Sequence, residues 1–185
     1  MKKKLIVILF ALLASVTMKA QMLAVTTDVL HDALMIPSLG FELVTGERTT
    51  LGLHAYGAYH PWFTKNKMAV AQPEFRYFFS GRPMSREFVG IAAIGALYHI
   101  EWSGKVYEGE AAGLGLTFGY VFSLSHRLNL DVHAGFGFIG YHQKEYFQGD
   151  FYDTDFSRGG YLESNAEGYA LLPTRFGISL SYILK

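Results

Sequence analysis

The chain has 185 residues, 16 Lys and Arg against 16 Asp and Glu, and no cysteine. The length suits one domain, disulfide stapling is excluded, and the balanced charge offers no basic surface for nucleic acid. Half of the residues are hydrophobic, 16% are aromatic, 17% are charged and 20 are glycine.

The N-terminus reads MKKKLIVILFALLASVTMKAQ. Three lysines precede an apolar run from Leu5 to Val16, and the segment closes on Ala20-Gln21. A basic head, an apolar middle and a small residue at the cut are the order of a secretory signal peptide. The run is shorter than the roughly 20 apolar residues that a membrane-spanning helix needs. The expected division is a signal peptide over 1–20 and a single domain over 21–185. Removing 1–20 removes four lysines and no acid, so the exported part is mildly acidic. A small exported domain often relies on disulfides, and this one must gain its stability otherwise.

The rest of the chain alternates with period two, the mark of strands with two different faces. Eight such segments are expected: 22–30, 36–45, 50–60, 68–79, 87–99, 111–124, 127–142 and 170–184. In the fourth, Gln72, Glu74 and Arg76 oppose Ala71, Pro73, Phe75, Tyr77 and Phe79. The fifth, EFVGIAAIGALYH, is apolar on both faces, and its register cannot be assigned from the pattern. In the sixth, Leu114, Leu116, Phe118, Tyr120, Phe122 and Leu124 oppose Gly113, Gly115, Thr117, Gly119, Val121 and Ser123. The seventh sets Leu130, Val132, Phe136 and Phe138 against Asp131, His133, Gly135 and Gly137, and the eighth sets Phe176, Ile178 and Leu180 against Arg175, Gly177 and Ser179.

Strands of 9–11 residues, in an even number with a minimum of eight, are the pattern of outer-membrane barrels. The fold expected is therefore all-β, an eight-stranded antiparallel up-and-down transmembrane β-barrel. Short turns, TGERT, SGRPMSRE and LSHR, alternate with longer connections, HPWFTKNK, IEWSGKVYEGE and 143–169. Short periplasmic turns and longer outside loops put both termini in the periplasm of a bacterial outer membrane; the short HDALMIP fits that rule less well.

Arg76 decides the faces. Mid-strand and facing lipid it would cost about 2–4 kcal/mol; facing inward it can pair with carboxylates. The same parity turns Asp28, Glu42, His54, Gln72, Glu74, Asp131, His133 and Arg175 inward. Eight strands enclose a space just wide enough for side chains to fill, so these groups are expected to form a bonded polar plug. Inward glycines would leave room for the long side chains and allow strong curvature.

The stretches PSLGFEL (37–43), GAYHPW (57–62), AQPEFRYFF (71–79), FVGIAAIGALYHI (88–100) and GLGLTFGYVFSLSHRLNLDVHAGFGFIGYH (113–142) together resemble a family of small outer-membrane barrels, domain of unknown function 3575. The acidic, aromatic stretch 145–168 departs from it. The resemblance implies an eight-stranded barrel with no established activity, accompanying fimbrial or surface-assembly components. It carries over no catalytic residue.

Chemical motifs are weaker than the strand pattern. Gly135, Gly137 and Gly140 spell G-x-G-x-x-G, but the fingerprint needs a helix after the turn, and strand pattern lies on both sides here. Asp131, His133 and the serines Ser179 and Ser181 could form a triad, yet they sit at the periplasmic end, away from outer-leaflet lipid. The seven histidines make no tight ligand spacing, and Asp150, Asp153 and Asp155 lack the glycine turn and terminal Glu of a calcium loop. No catalytic, cofactor or metal site is expected. Tyr56, Tyr59, Trp62, Tyr98, Trp102, Tyr141 and Tyr146, near strand ends, are read as an interfacial aromatic girdle. Gly140 marks a place for a bulge or twist.

The expected function is a non-enzymatic outer-membrane barrel whose partners are lipid and a surface or fimbrial protein, the latter met through 143–169, since loops of this length are often functional. A narrow channel for small or apolar solutes and a lipid-modifying barrel enzyme are the alternatives.

Overall fold

The computed structural model describes residues 22–61, 64–147 and 164–184; the expected signal peptide over 1–20 and most of the last loop lie outside these. Eight strands and one short helix make up the chain: β1 (Leu23–Asp28), α1 (Val29–Ala33), β2 (Ser38–Val44), β3 (Thr49–Tyr59), β4 (Lys67–Phe78), β5 (Arg86–Trp102), β6 (Lys105–Ser123), β7 (Leu128–Phe147) and β8 (Ser164–Ile183). Each strand pairs antiparallel with its neighbours in sequence, and β1 also pairs antiparallel with β8. The sheet thus closes into a barrel-like ring, with β8 joined to β1 over Ser179–Ile183. Both described ends of the chain lie on the rim that carries the β2–β3, β4–β5 and β6–β7 connections, here the turn rim. The opposite rim carries the longer strand extensions, here the loop rim.

The two faces are reversed relative to those of a water-soluble sheet. In β4, Gln72, Glu74 and Arg76 are buried at 1% exposure each, while Phe75 and Tyr77 between them are exposed. On β6, β7 and β8 the exposed residues include Leu114, Leu116, Phe118, Phe136, Phe138, Phe176 and Ile178. A small apolar cluster, Phe78, Phe88 and Val121, lies inside toward the turn rim. Beside it Met84 is buried, and Asn129 Nδ2 donates to its carbonyl at 3.1 Å.

The register of β5 follows from its partners. Glu74 pairs with Ala92 and Arg76 with Gly90, so Phe88, Gly90 and Ala92 face inward while Val89, Ile91 and Leu97 face outward. The sequence hid this because the inward positions are small and apolar rather than polar. They are small for a reason: a Cβ on Gly90 would stand 2.5 Å from Thr117 Oγ1 and 3.2 Å from Glu74 Oε1.

Four expectations change. The fifth and sixth strands do not end at a long loop over 100–110. They continue to Trp102 and from Lys105, joined by Ser103-Gly104, whose φ values are 51° and 78°. Two residues at positive φ are the hairpin turn that matches strand twist, and Ser-Gly was its signal. The first strand stops at Asp28 rather than residue 30, because Asp28 caps α1, its Oδ1 accepting from His31 N at 3.0 Å. Asp32 in α1 then binds Thr27 Oγ1 at 2.5 Å and Ser38 N at 2.9 Å, tying the helix to β1 and β2. Strands seven and eight reach residues 147 and 164 rather than 142 and 170.

The fourth change concerns the bulge. Gly140 pairs regularly with Ala112 and Tyr169. The irregularity is on β8, where Arg175 pairs with Gly135 but Pro173 pairs with Phe136, leaving Thr174 as the extra residue. Proline has no N–H for the ladder and settles at bulges. Thr174 and Arg175 are consequently both buried. The glycines opposite serve curvature more than room. Gly115 and Gly137 are direct partners, and a Cβ on Gly137 would stand 2.5 Å from Gly115 Cα. The inner faces of β6 and β7 touch there, so the ring creases sharply along this pair.

Candidate functional site

The interior holds a charged network built around Arg76. From β4 its side chain reaches across the ring to β7, where Nη1 lies 2.7 Å from Asp131 Oδ2. Its Nε lies 2.8 Å from Glu74 Oε2, and Nη1 is 3.5 Å from Glu42 Oε2 on β2. The guanidinium also stacks over the Phe88 ring at 4.3 Å. Glu74 is met in addition by Arg175 from β8 and Thr117 from β6, and His54 Nε2 stands 3.7 Å away. Glu42 Oε1 accepts from Thr50 Oγ1 at 2.5 Å.

A second group centres on Asp28 toward the loop rim. His31 Nδ1 lies 3.0 Å from its Oδ1, Ser179 Oγ donates to its Oδ2 at 3.2 Å, and His133 Nε2 stands 3.4 Å from that oxygen. His133 Nδ1 faces Asp131 at 3.5 Å, so His133 stands between the two groups. The structure therefore brings together Glu42, His54, Glu74, Arg76, Asp131, His133 and Arg175. Gln72 shares their interior but has no protein hydrogen bond among the described residues. Asp28 and Thr117 belong to the same network: Asp28 follows from strand parity, whereas an inward threonine carried no distinguishing signal.

Charges in such a place are costly unless paired and hydrogen-bonded. Here Arg76 serves three carboxylates from three strands, so it locks β2, β4 and β7 at one level. Ser179 donates to Asp28 and not to His133, which is not the bonding of a serine nucleophile to its base. Among the described residues no three His, Asp or Glu side chains stand together as metal ligands; Asp150, Asp153 and Asp155 lie outside the described residues.

A family model described as "Protein of unknown function (DUF3575)" matches residues 6–184. The chain belongs to this family. No curated protein and no solved structure matches it.

In this DUF3575 chain the outer face offers a second feature. Hydrogen-bonded neighbours Ala55, Ala71, Gly95, Ala112 and Gly140 lie side by side across β3 to β7 and face outward, between Leu39 and Tyr169. Toward the loop rim the next outward residues are Gly57, Ala69, Leu97, Glu110 and His142. Shallow depressions of about 790 and 840 Å³ follow these rows. His142 Nδ1 lies 2.8 Å from Glu167 Oε1 at one end. Sequence reading missed the groove because small residues were weighed only for the interior.

The expected aromatic girdle is partly corrected. Tyr56, Tyr98 and Tyr141 share the parity of His54, Ala92 and Gly137 and face inward. Tyr98 OH donates to Gln143 Oε1 at 2.7 Å. Tyr59 and Trp102 are exposed at 75% and 71%, Tyr146 OH donates to Glu108 at 3.2 Å, and Trp62 lies outside the described residues. Tyr169, at 87% exposure, joins the outward set. Near the loop rim Lys105 Nζ and Glu145 Oε2 pair at 2.5 Å, and Gln143 Nε2 donates to the same carboxylate at 2.8 Å. The Lys105 hydrogen bond holds the Glu145 carboxyl below the usual carboxylate range. The same bond raises the Lys105 ammonium.

Proposed function

We propose that this chain is a non-enzymatic bacterial outer-membrane β-barrel, exported by residues 1–20, with both termini periplasmic. Its outside segment 143–169 contacts a surface or fimbrial protein. The carrying observation is the reversal of faces: Leu114, Phe138 and Phe176 are 65%, 67% and 69% exposed, whereas Arg76, Glu74 and Asp131 are 1–2% exposed. In water that outer face would be a large aggregation surface; in lipid it is the solvent-matched one. Its height also fits. Tyr59 pairs with Lys67, and Thr49 with Tyr77, so Tyr59 and Tyr77 mark the two borders. The ten residue steps from Lys67 to Tyr77, at roughly 3.4 Å each and a tilt of about 40°, span about 26 Å, close to the roughly 25 Å apolar band of such barrels.

The interior network supports a structural role. It lines the ring with buried, largely ion-paired groups, and among the described residues it holds no accessible nucleophile, so contact with a partner falls to the loop rim. Fractionation of cells expressing the chain tests the membrane reading. It requires recovery in the outer-membrane pellet and a heat-modifiable band on gels; recovery in the soluble fraction without detergent overturns it. The partner reading is tested by deleting 148–163, which spares both described strands. A barrel that still binds its surface partner after that deletion excludes the loop as the contact.

A further inference from the structure

Between the Arg76 level and the loop rim the interior contains a cavity of about 20 Å³, lined by Thr26, Asp28, His54, Gln72, His133 and Arg175. Among the residues that line it, both amide atoms of Gln72 make no hydrogen bond, and the His133 nitrogens and His54 Nε2 have only long contacts, 3.4–3.7 Å from Asp28, Asp131 and Glu74. Gln72 and His133 are 1% and 3% exposed, so bulk solvent does not serve them. Buried polar groups in folded chains are satisfied by protein or by ordered water.

We infer that this cavity is a binding site for a single water molecule, which closes the interior network. Size selects the guest. One water needs roughly 10–15 Å³ of such space, so the cavity holds one with little room to spare. Chemistry selects it again. The guest must donate to Gln72 Oε1, accept from Gln72 Nε2, and take whichever complementary role the facing His133 nitrogen presents. A cation is opposed by Arg175 and a bare anion by Asp28, whereas water is neutral, donates twice and accepts twice. The bound water connects the Asp28–His133 group with Gln72 and His54 on the opposite wall, and so couples β1, β3, β4 and β7. His31 and Tyr56 also line the cavity, their ring centroids 4.9 Å apart, and a water held by such buried groups exchanges slowly. The inference does not depend on whether the outer face meets lipid.

An atomic-resolution crystal structure of the whole protein, from crystals grown in rubidium bromide, tests it. The expected result is one oxygen-sized peak within hydrogen-bond distance of Gln72 and His133, with no anomalous signal. An anomalous peak there assigns the site to an ion and overturns the inference. So does an empty cavity, or a Gln72 side chain turned to bond His133 directly. In solution, water-to-protein cross-relaxation read at the Gln72 side-chain amide should carry the sign of a water resident for nanoseconds or longer. The opposite sign, or no signal, refutes it without any variant that could fail to fold.

Discussion

Arg76→Met removes the guanidinium and keeps most of the side-chain volume. In the native ring that group stands 2.7 Å from Asp131, 2.8 Å from Glu74 and 3.5 Å from Glu42. Glu74 would keep Arg175 and Thr117, Glu42 would keep the Thr50 hydroxyl, and Asp131 would face His133. Taking one partner from a buried ion pair costs about 3–5 kcal/mol. Loss of the stacking over Phe88 adds about 0.5–1 kcal/mol. The sum, about 4–6 kcal/mol, is a large share of the roughly 5–15 kcal/mol by which folded domains are stable. Urea titration of the purified protein, read from its circular dichroism, is the assay. With a slope of about 2 kcal/mol/M, the midpoint should fall by about 2–3 M. Adding Glu42→Gln and Asp131→Asn to the same chain removes the stranded charges and should recover most of that loss, because neutral replacement of a buried ionic cluster is often near neutral. A midpoint within about 0.5 M of the parent, or a triple variant no better than the single one, refutes the assignment of Arg76 as the common counter-charge.

Two glycines on the same ring should behave oppositely. Gly137→Ala drives a Cβ to 2.5 Å from Gly115 Cα, whereas a Cβ on Gly95 meets nothing within 4 Å; overpacking of about 1–3 kcal/mol should lower the folded yield of the first and leave Gly95→Ala at the parental level. Phe138→Arg should cost about 2–4 kcal/mol in a bilayer, read as a lowered urea midpoint in lipid vesicles; an unchanged midpoint means that Phe138 does not face lipid. The filled interior should make the wild-type protein silent in planar bilayers, and steady single-channel steps would contradict that. The Lys105–Glu145 pair lowers the Glu145 carboxyl, so its contribution is fully present above the ordinary carboxylate range and fades as pH falls through the lowered value; amide protection factors in the β5–β6 hairpin, corrected for the intrinsic pH dependence of exchange, should fall on that acid side and stay constant between pH 6 and 8.

Strand parity made much of the interior legible. One residue, Arg76, oriented β4, and uninterrupted alternation carried the assignment to Glu42, His54, Asp131 and Arg175. The pattern failed where the chain changes phase or chemistry without changing hydrophobicity. Thr174 shifts the phase of β8, and the informative residue was Pro173, placed where a regular ladder would need its N–H. Gly90 and Ala92 are interior, yet as apolar as the outward Val89 and Ile91. Tyr98 and Tyr141 were grouped by nearness to strand ends, although Tyr141 shares odd parity with His133 and Gly137, which would have turned it inward. Gln72 was legible as an interior residue, but the cavity it borders depends on how far six strands stand apart, which no single strand records.

The ring is closed by its shortest strand. β1 has 6 residues and meets β8 only from Ala24 to Asp28, whereas β6 and β7 pair from Lys105 to Ser123. Hairpins of neighbouring strands form with little loop-closure entropy, while joining the two ends of the chain carries the largest. Assembly therefore runs from the long hairpins toward the chain ends and finishes at β1. That line is also where the ring parts first under load, so pulling on the N-terminus should peel β1 away while the sheet from β3 to β8 stays whole.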